Sequence, residues 1–250
     1  HLNIYPGYSM WNPNFINHPL FNNIKIMFEQ HKLAMPGQHP SLDVLNSWLQ
    51  KLHPDLKNTN GKSIQFVEQG TSFENFEDGY EQRIYLKGEV QTRADNWHDF
   101  FNAIIWMKRP EIKRVINGRH YYESLKQRQL GEAKKRNTIQ NQLAHFDECG
   151  VVVISKSKEL LELLRNHCWS ELFWDKREEV QSDMCFEIFG HALYEKALNP
   201  YIGFTGKALL IHSSNFNNVG RKAAEHLIQN LRNTEKLLSP LPILGVPGWW

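Results

Sequence analysis

The chain is poor in cysteine, in excess charge of one sign and in long apolar runs, and each shortage excludes a class of protein. Three cysteines in 250 residues, Cys149, Cys168 and Cys185, stand at long spacings with no CxxC. Neither a disulfide framework nor a zinc knuckle is encoded, and the three read as reduced core thiols. No stretch reaches the ~18 uninterrupted apolar residues of a transmembrane helix. The opening HLNIYPGYSMWNP lacks the basic-then-apolar order of a secretory signal. A cytoplasmic protein with no membrane partner is therefore expected. The formal charge of +2 is too small for global attraction to a polyelectrolyte, so any nucleic-acid surface must come from local segregation of charge. Compact catalytic signatures such as HExxH are missing, as are internal repeats and low-complexity linkers. A content of 41% hydrophobic and 12% aromatic residues supports a real core, and one compact domain over 1–250 is expected.

What is present centres on residues 184–198, MCFEIFGHALYEKAL. At about 100° per residue, Glu187, His191 and Glu195 share a narrow stripe on a segment otherwise apolar nearly all round, the pattern of a buried helix. Two acids and an imidazole buried in line are costly unless they pair, share a proton or hold a cation.

Residues 1–40, broken by Pro6, Pro13, Pro19, Pro36 and Pro40, form an irregular N-terminal arm with a short helix around Phe21–His31. Ser41 caps the amphipathic LDVLNSWLQKL, which Pro54 ends. SIQFVEQ and YEQRIYLKGEV read as two strands of a small antiparallel sheet. In TRADNWHDFFNAIIWMKRP, Asn96 caps a helix that Pro110 stops, and Asp95, His98, Asp99 and Asn102 make one polar stripe. Arg83 and Arg93 beside it could supply anion-binding forks.

From Lys108 to Arg136 the chain carries ten Lys or Arg against three Glu, a local basic face on two helices, PEIKRVINGRHYYESLKQRQ and GEAKKRNTIQNQLAHFDE. Tyr121 and Tyr122 could stack bases beside it, but no nucleic-acid motif accompanies them. The second helix ends on Asp147 and Glu148, which oppose its dipole and call for a cation, and Gly150 reads as a left-handed terminator. VVVIS is a buried strand, Ser157 caps KELLELLRNHCWSELFW, and Lys207–His212 is a further strand. NVGRKAAEHLIQNLRN is amphipathic. The prolines of SPLPILGVPGWW exclude a helix, so residues 239–250 should be an extended tail packed on the body with both tryptophans out of water.

Taken in order, YEQRI, TRADNWHDFFNAIIW, NGRH, HFDECGVVV, FGHALYEKALNPYIGFTGKAL and LPILGVPGWW resemble the signature blocks of an uncharacterised, largely proteobacterial family of domains of unknown function, from about Tyr80 to the end. The resemblance implies a bacterial, cytoplasmic protein and carries no activity with it. The family's pattern has an Arg-Asp pair near Gln140 and Asn141, from which this chain departs.

The expected fold is α+β, predominantly helical with a small sheet of three or four strands. The expected chemistry is a metal-dependent, hydrolase-like site acting on a small or phosphate-containing substrate. His98, Asp99, Asp147, Glu148 and Glu195 would be catalytic, and His98, His191 and Glu195 would hold a divalent transition metal, zinc, manganese or iron. Arg83, Arg93, Asn102, Arg119 and His120 would bind substrate. The alternatives are a non-catalytic anion or nucleic-acid binding module built on 108–136, and a structural polar network without catalysis.

Overall fold

A computed structural model describes residues 10–70, 75–132, 136–231 and 237–250. The chain divides into two compact units, residues 1–108 and 109–250. Both fit α+β with helix predominant.

In the first unit, short 3-10 turns at Pro13–Asn17 and Pro19–Phe21 lead into α1 (Asn22–Gln30), so the described part of the arm is a string of short helices. Residues 1–9, with Pro6, lie outside the described residues. Helix α2 (Leu42–Leu52) starts where Ser41 Oγ accepts the Val44 N–H. Strand β1 (Gln65–Glu68), helix α3 (Tyr80–Lys87), strand β2 (Glu89–Thr92) and helix α4 (Trp97–Lys108) follow.

The expected second strand is therefore a helix followed by a strand, and the pair β1–β2 is parallel, Gln65 facing Glu89, not antiparallel. Tyr80, Ile84 and Tyr85 recur at helical spacing, and a crossover helix between two adjacent strands makes them parallel. Gly88 ends α3 in the left-handed region at φ 79, where an added Cβ would lie 2.0 Å from the Ser63 carbonyl oxygen. The buried Asn58 side chain donates to the Ile84 and Tyr85 carbonyls and satisfies the end of α3. Helix α4 is the core of this unit. Trp97 stacks on Trp11 at 4.6 Å and on Phe101 at 5.6 Å, and every residue from Phe100 to Met107 is buried.

In the second unit, α5 (Pro110–Gln129) opens with proline at its first turn, and α6 (Thr138–Cys149) opens at an Asn137–Gln140 capping box. Residues 133–135 lie outside the described residues. Then come β3 (Gly150–Ser155), α7 (Lys158–Arg165), a π-helical turn at Glu171–Asp175, α8 (Arg177–Asp183), β4 (Met184–Ile188), α9 (His191–Ala197), β5 (Thr205–His212), α10 (Val219–Asn230) and β6 (Leu238–Pro242). The sheet order is β4-β3-β5-β6, with β3 parallel to β5 and the outer pairs antiparallel. VVVIS lies in β3, buried at every position as a strand between two neighbours must be.

Four local expectations change here. The stretch 184–198 is not one helix: MCFEI joins the sheet as β4, and α9 begins only at His191 after Gly190. β3 has an open edge that these β-prone residues fill, and Gly190 interrupts any continuing helix. Gly150 has φ −70 and is not left-handed; it lacks a side chain because a Cβ would sit 2.2 Å from the Phe146 oxygen. The stretch after Ser157 breaks at Arg165, with His167 at φ 62. The tail is a paired strand followed by a 3-10 turn; Leu241 and Ile243 are fully buried and Trp249 meets Phe186 at 6.2 Å, whereas Trp250 is 73% exposed. Among the described residues no helix is long and apolar enough to cross a membrane.

The 189–190 turn is fastened to the head of β3, because the Phe189 and Gly190 N–H groups donate to the Gly150 oxygen at 2.9 and 2.8 Å. A Cβ on Gly190 would lie 2.4 Å from the Glu148 oxygen and 2.5 Å from the Gly150 nitrogen, both backbone atoms. Gly190→Ala should therefore cost about 1–3 kcal/mol or more in urea unfolding. Gly37→Ala, with no atom within 4 Å of the added carbon, should stay within about 0.5 kcal/mol. Equal effects would contradict the close approach.

Candidate functional site

That turn sets the site. Because Gly190 packs on the backbone of 148–150, the first residue of α9 falls beside the last turn of α6. The buried His191 ring lies between the two adjacent acids, with Nδ1 3.7 Å from Asp147 Oδ2 and Nε2 3.6 Å from Glu148 Oε2. The Glu148 side chain is 47% exposed and Asp147 14%, so one acid faces solvent and the other the interior.

Asp147 is the hub. Lys113, 4% exposed on α5, donates from Nζ to Asp147 Oδ1 at 2.6 Å. His120, also on α5 and buried, lies close enough to act on the same carboxylate. Burial alone would raise the Asp147 carboxyl, but the Lys113 ammonium, with His191 and His120 adding to it, holds it below the ordinary carboxylate value. The cation demanded by two acids at a helix C-terminus is thus Lys113; His145 is exposed.

Lys113 is the residue that sequence reasoning misses, because its charge counts toward the basic face of 108–136. A signal existed: Lys113, Asn117, His120, Ser124 and Gln127 recur at spacings of four and three, a polar row on one face of α5. That row and its flank meet α6 in antiparallel order. Lys113 pairs with Asp147 at one end, while Asn137 donates to Glu123 at 2.6 Å and Gln140 to Ser124 at 3.0 Å at the other.

Glu187 goes elsewhere. On β4 it accepts both arms of the Arg109 fork at 2.6 Å each, and the buried Tyr194, whose hydroxyl donates to the Ile188 oxygen at 3.2 Å, lies within its field. Burial, with Glu187 adding, pushes the Tyr194 phenol far above its usual value. His191 and Glu195 keep their four-residue spacing in α9, with Glu195 half-buried. Arg119 pairs with Glu123 one turn on at 2.8 Å.

The other expected residues belong to the first unit. The Arg93 fork grips Asp99 at 2.8 and 2.9 Å, and the Arg93 backbone N–H adds a third bond. Burial would raise Asp99; these bonds, with His98 assisting, bring it below the ordinary value instead. Arg83 donates from Nε to Glu89 at 3.0 Å, Asn102 donates to the Tyr80 hydroxyl at 2.6 Å, and His98 is half-buried on α4.

The family described as protein of unknown function (DUF3025) matches residues 64–250. The chain belongs to that family. No curated protein and no solved structure matches it. The match covers β1 to the tail, and with them Lys113, Asp147, Glu148 and His191. Within the second unit, Glu148 and His191 offer an oxygen and a nitrogen that could bind one cation.

The depressed Asp147 carboxyl has a stability consequence with a definite sign. A group whose folded value lies below its unfolded one stabilises fully above the unfolded value, about 3.8, and loses that contribution as pH falls through the folded value. In urea unfolding across pH, the wild type should lose stability below about pH 4 more steeply than Asp147→Asn. Parallel curves would remove Asp147 from the account.

Proposed function

We propose that the second unit binds a divalent transition ion between His191 and Glu148 and serves a hydrolytic reaction on a small or phosphate-containing substrate. The observation that carries this reading is the 3.6 Å separation of His191 Nε2 and Glu148 Oε2. It is too long for a hydrogen bond and close to the ~3.4 Å expected of two ligands about 2.1 Å from one tetrahedral ion. A mixed imidazole and carboxylate set suits zinc, manganese or iron. Such an ion, when bound, lowers the pKa of a water molecule so that hydroxide forms near neutral pH.

The protein's own contribution is placement. Glu148 keeps one face in solvent, so a substrate can reach it, while His191 is buried beside it. Glu195, one turn further along α9, is a further ligand that the sequence suggests. A nucleic-acid module is the less favoured reading, because Arg109, Lys113 and Arg119 of the basic stretch are each committed to an acid within the unit.

Calorimetric titration of chelator-treated protein with zinc and with manganese tests this, followed by hydrolysis of p-nitrophenyl phosphate and acetate by the loaded protein. One ion should bind. His191→Ala should abolish binding and Glu148→Gln should weaken it at least about 10-fold, with circular dichroism unchanged; the same loss in Glu195→Gln would identify a further ligand. Absence of binding for both ions would overturn the reading. Oligonucleotide retention that falls steeply with salt would favour the binding module instead.

A further inference from the structure

Two acids in succession, Asp147 and Glu148, flank one imidazole, and their surroundings differ. Asp147 is mostly shielded, 14% exposed, and one of its oxygens is already taken by a buried ammonium, Lys113 Nζ at 2.6 Å. Its second oxygen lies 3.7 Å from His191 Nδ1, beyond a hydrogen bond but close enough to act on the ring through its field. Glu148 is half in water. A neutral imidazole has one N–H and one lone pair, so it can offer a hydrogen to only one of the two carboxylates. The field of a buried carboxylate oxygen is screened less than that of an exposed one. The N–H should therefore be at Nδ1, toward Asp147.

We propose that Asp147 is a positioning residue, held in place by Lys113, which fixes His191 with its Nδ1 hydrogen toward Asp147 and its Nε2 lone pair toward Glu148. The two acids thus do separate jobs: Glu148 is the ligand and Asp147 stands behind the ligand. Carboxylates placed behind a metal-binding imidazole set its tautomer and raise its basicity. Lys113 fits this role because α5 cannot slide on α6: the Glu123–Asn137 and Ser124–Gln140 bonds lock the far end of the same helix pair. Use of this arrangement for metal binding rests on the function proposed above; the orientation of the ring does not.

The test uses the full chain labelled with ¹⁵N-histidine and freed of metal. Long-range ¹H–¹⁵N correlation at neutral pH shows which His191 nitrogen carries the proton, with the signal assigned by its loss in His191→Gln. The wild type should be protonated at Nδ1. Asp147→Asn and Lys113→Met should move the proton wholly or partly to Nε2, whereas Lys113→Arg and Glu148→Gln should leave it at Nδ1. Asp147→Asn should also weaken zinc binding about 10- to 100-fold. A wild-type proton at Nε2, or a tautomer that responds to Glu148→Gln and ignores Asp147→Asn, would overturn the proposal. If Lys113→Met does not fold, Asp147→Asn and Lys113→Arg still decide it. A wild type that binds no zinc would defeat the metal reading alone, because the tautomer is read without metal.

Discussion

One carbonyl holds the second unit together beside His191 and its two acids. The Gly150 oxygen accepts N–H groups from both Phe189 and Gly190, and this double acceptance joins three elements at a point: the end of α6, the head of β3 and the start of α9. A backbone oxygen has two lone pairs, and here both are used by the protein itself. The approach is so close that neither Gly150 nor Gly190 has room for a Cβ. His191 follows Gly190 directly and Glu148 precedes Gly150 by two residues, so the geometry of the cluster is inherited from the backbone. Long flexible side chains do not have to find it.

The basic stretch shows how composition misleads when charges are counted without partners. Arg109, Lys113 and Arg119 are each bonded to an acid, Glu187, Asp147 and Glu123, and all three of those acids have side chains at most 14% exposed. Burying both members of a pair costs desolvation that their attraction only roughly repays. Such pairs are better read as fixing which surfaces meet than as a source of net stability. Lys113–Asp147 sets α5 against α6, and Arg109–Glu187 sets the start of α5 against the outer strand.

Much of the fold is legible where one signal dominates. The VVVIS run, the Ser41, Asn96 and Ser157 caps and the proline stops at Pro54 and Pro110 each have a local cause, and the elements stand where those causes place them. Legibility fails where two periods compete. In MCFEIFGHALYEKAL the apolar residues satisfy a helix as well as they satisfy a strand, and the outcome depends on the open edge of β3, whose paired residues lie 29 to 37 positions earlier. YEQRIYLKGEV reads as one strand for the converse reason, since the strand-forming GEV lends its character to a helical YEQRIYLK. At the site, the spacing of His191 and Glu195 and the unbalanced acids at 147–148 were visible. The identity of the balancing cation was not, because Lys113 precedes Asp147 by 34 residues and nothing local marks it as buried.

The Arg109–Glu187 pair also acts as a gauge of strand register. Glu187 lies opposite Val152, and Phe186 and Ile188 on either side of it point to the other face of the sheet. A slip of β4 by one residue along β3 would present one of those apolar side chains to Arg109, stranding a guanidinium in a partly buried place and turning the Glu187 carboxylate to the opposite face. Such a mispaired ladder keeps most of its backbone hydrogen bonds, so the backbone alone discriminates weakly against it. The charge pair makes the wrong alignment expensive, and it thereby protects the position of Gly190, three residues downstream, to within the length of one peptide unit.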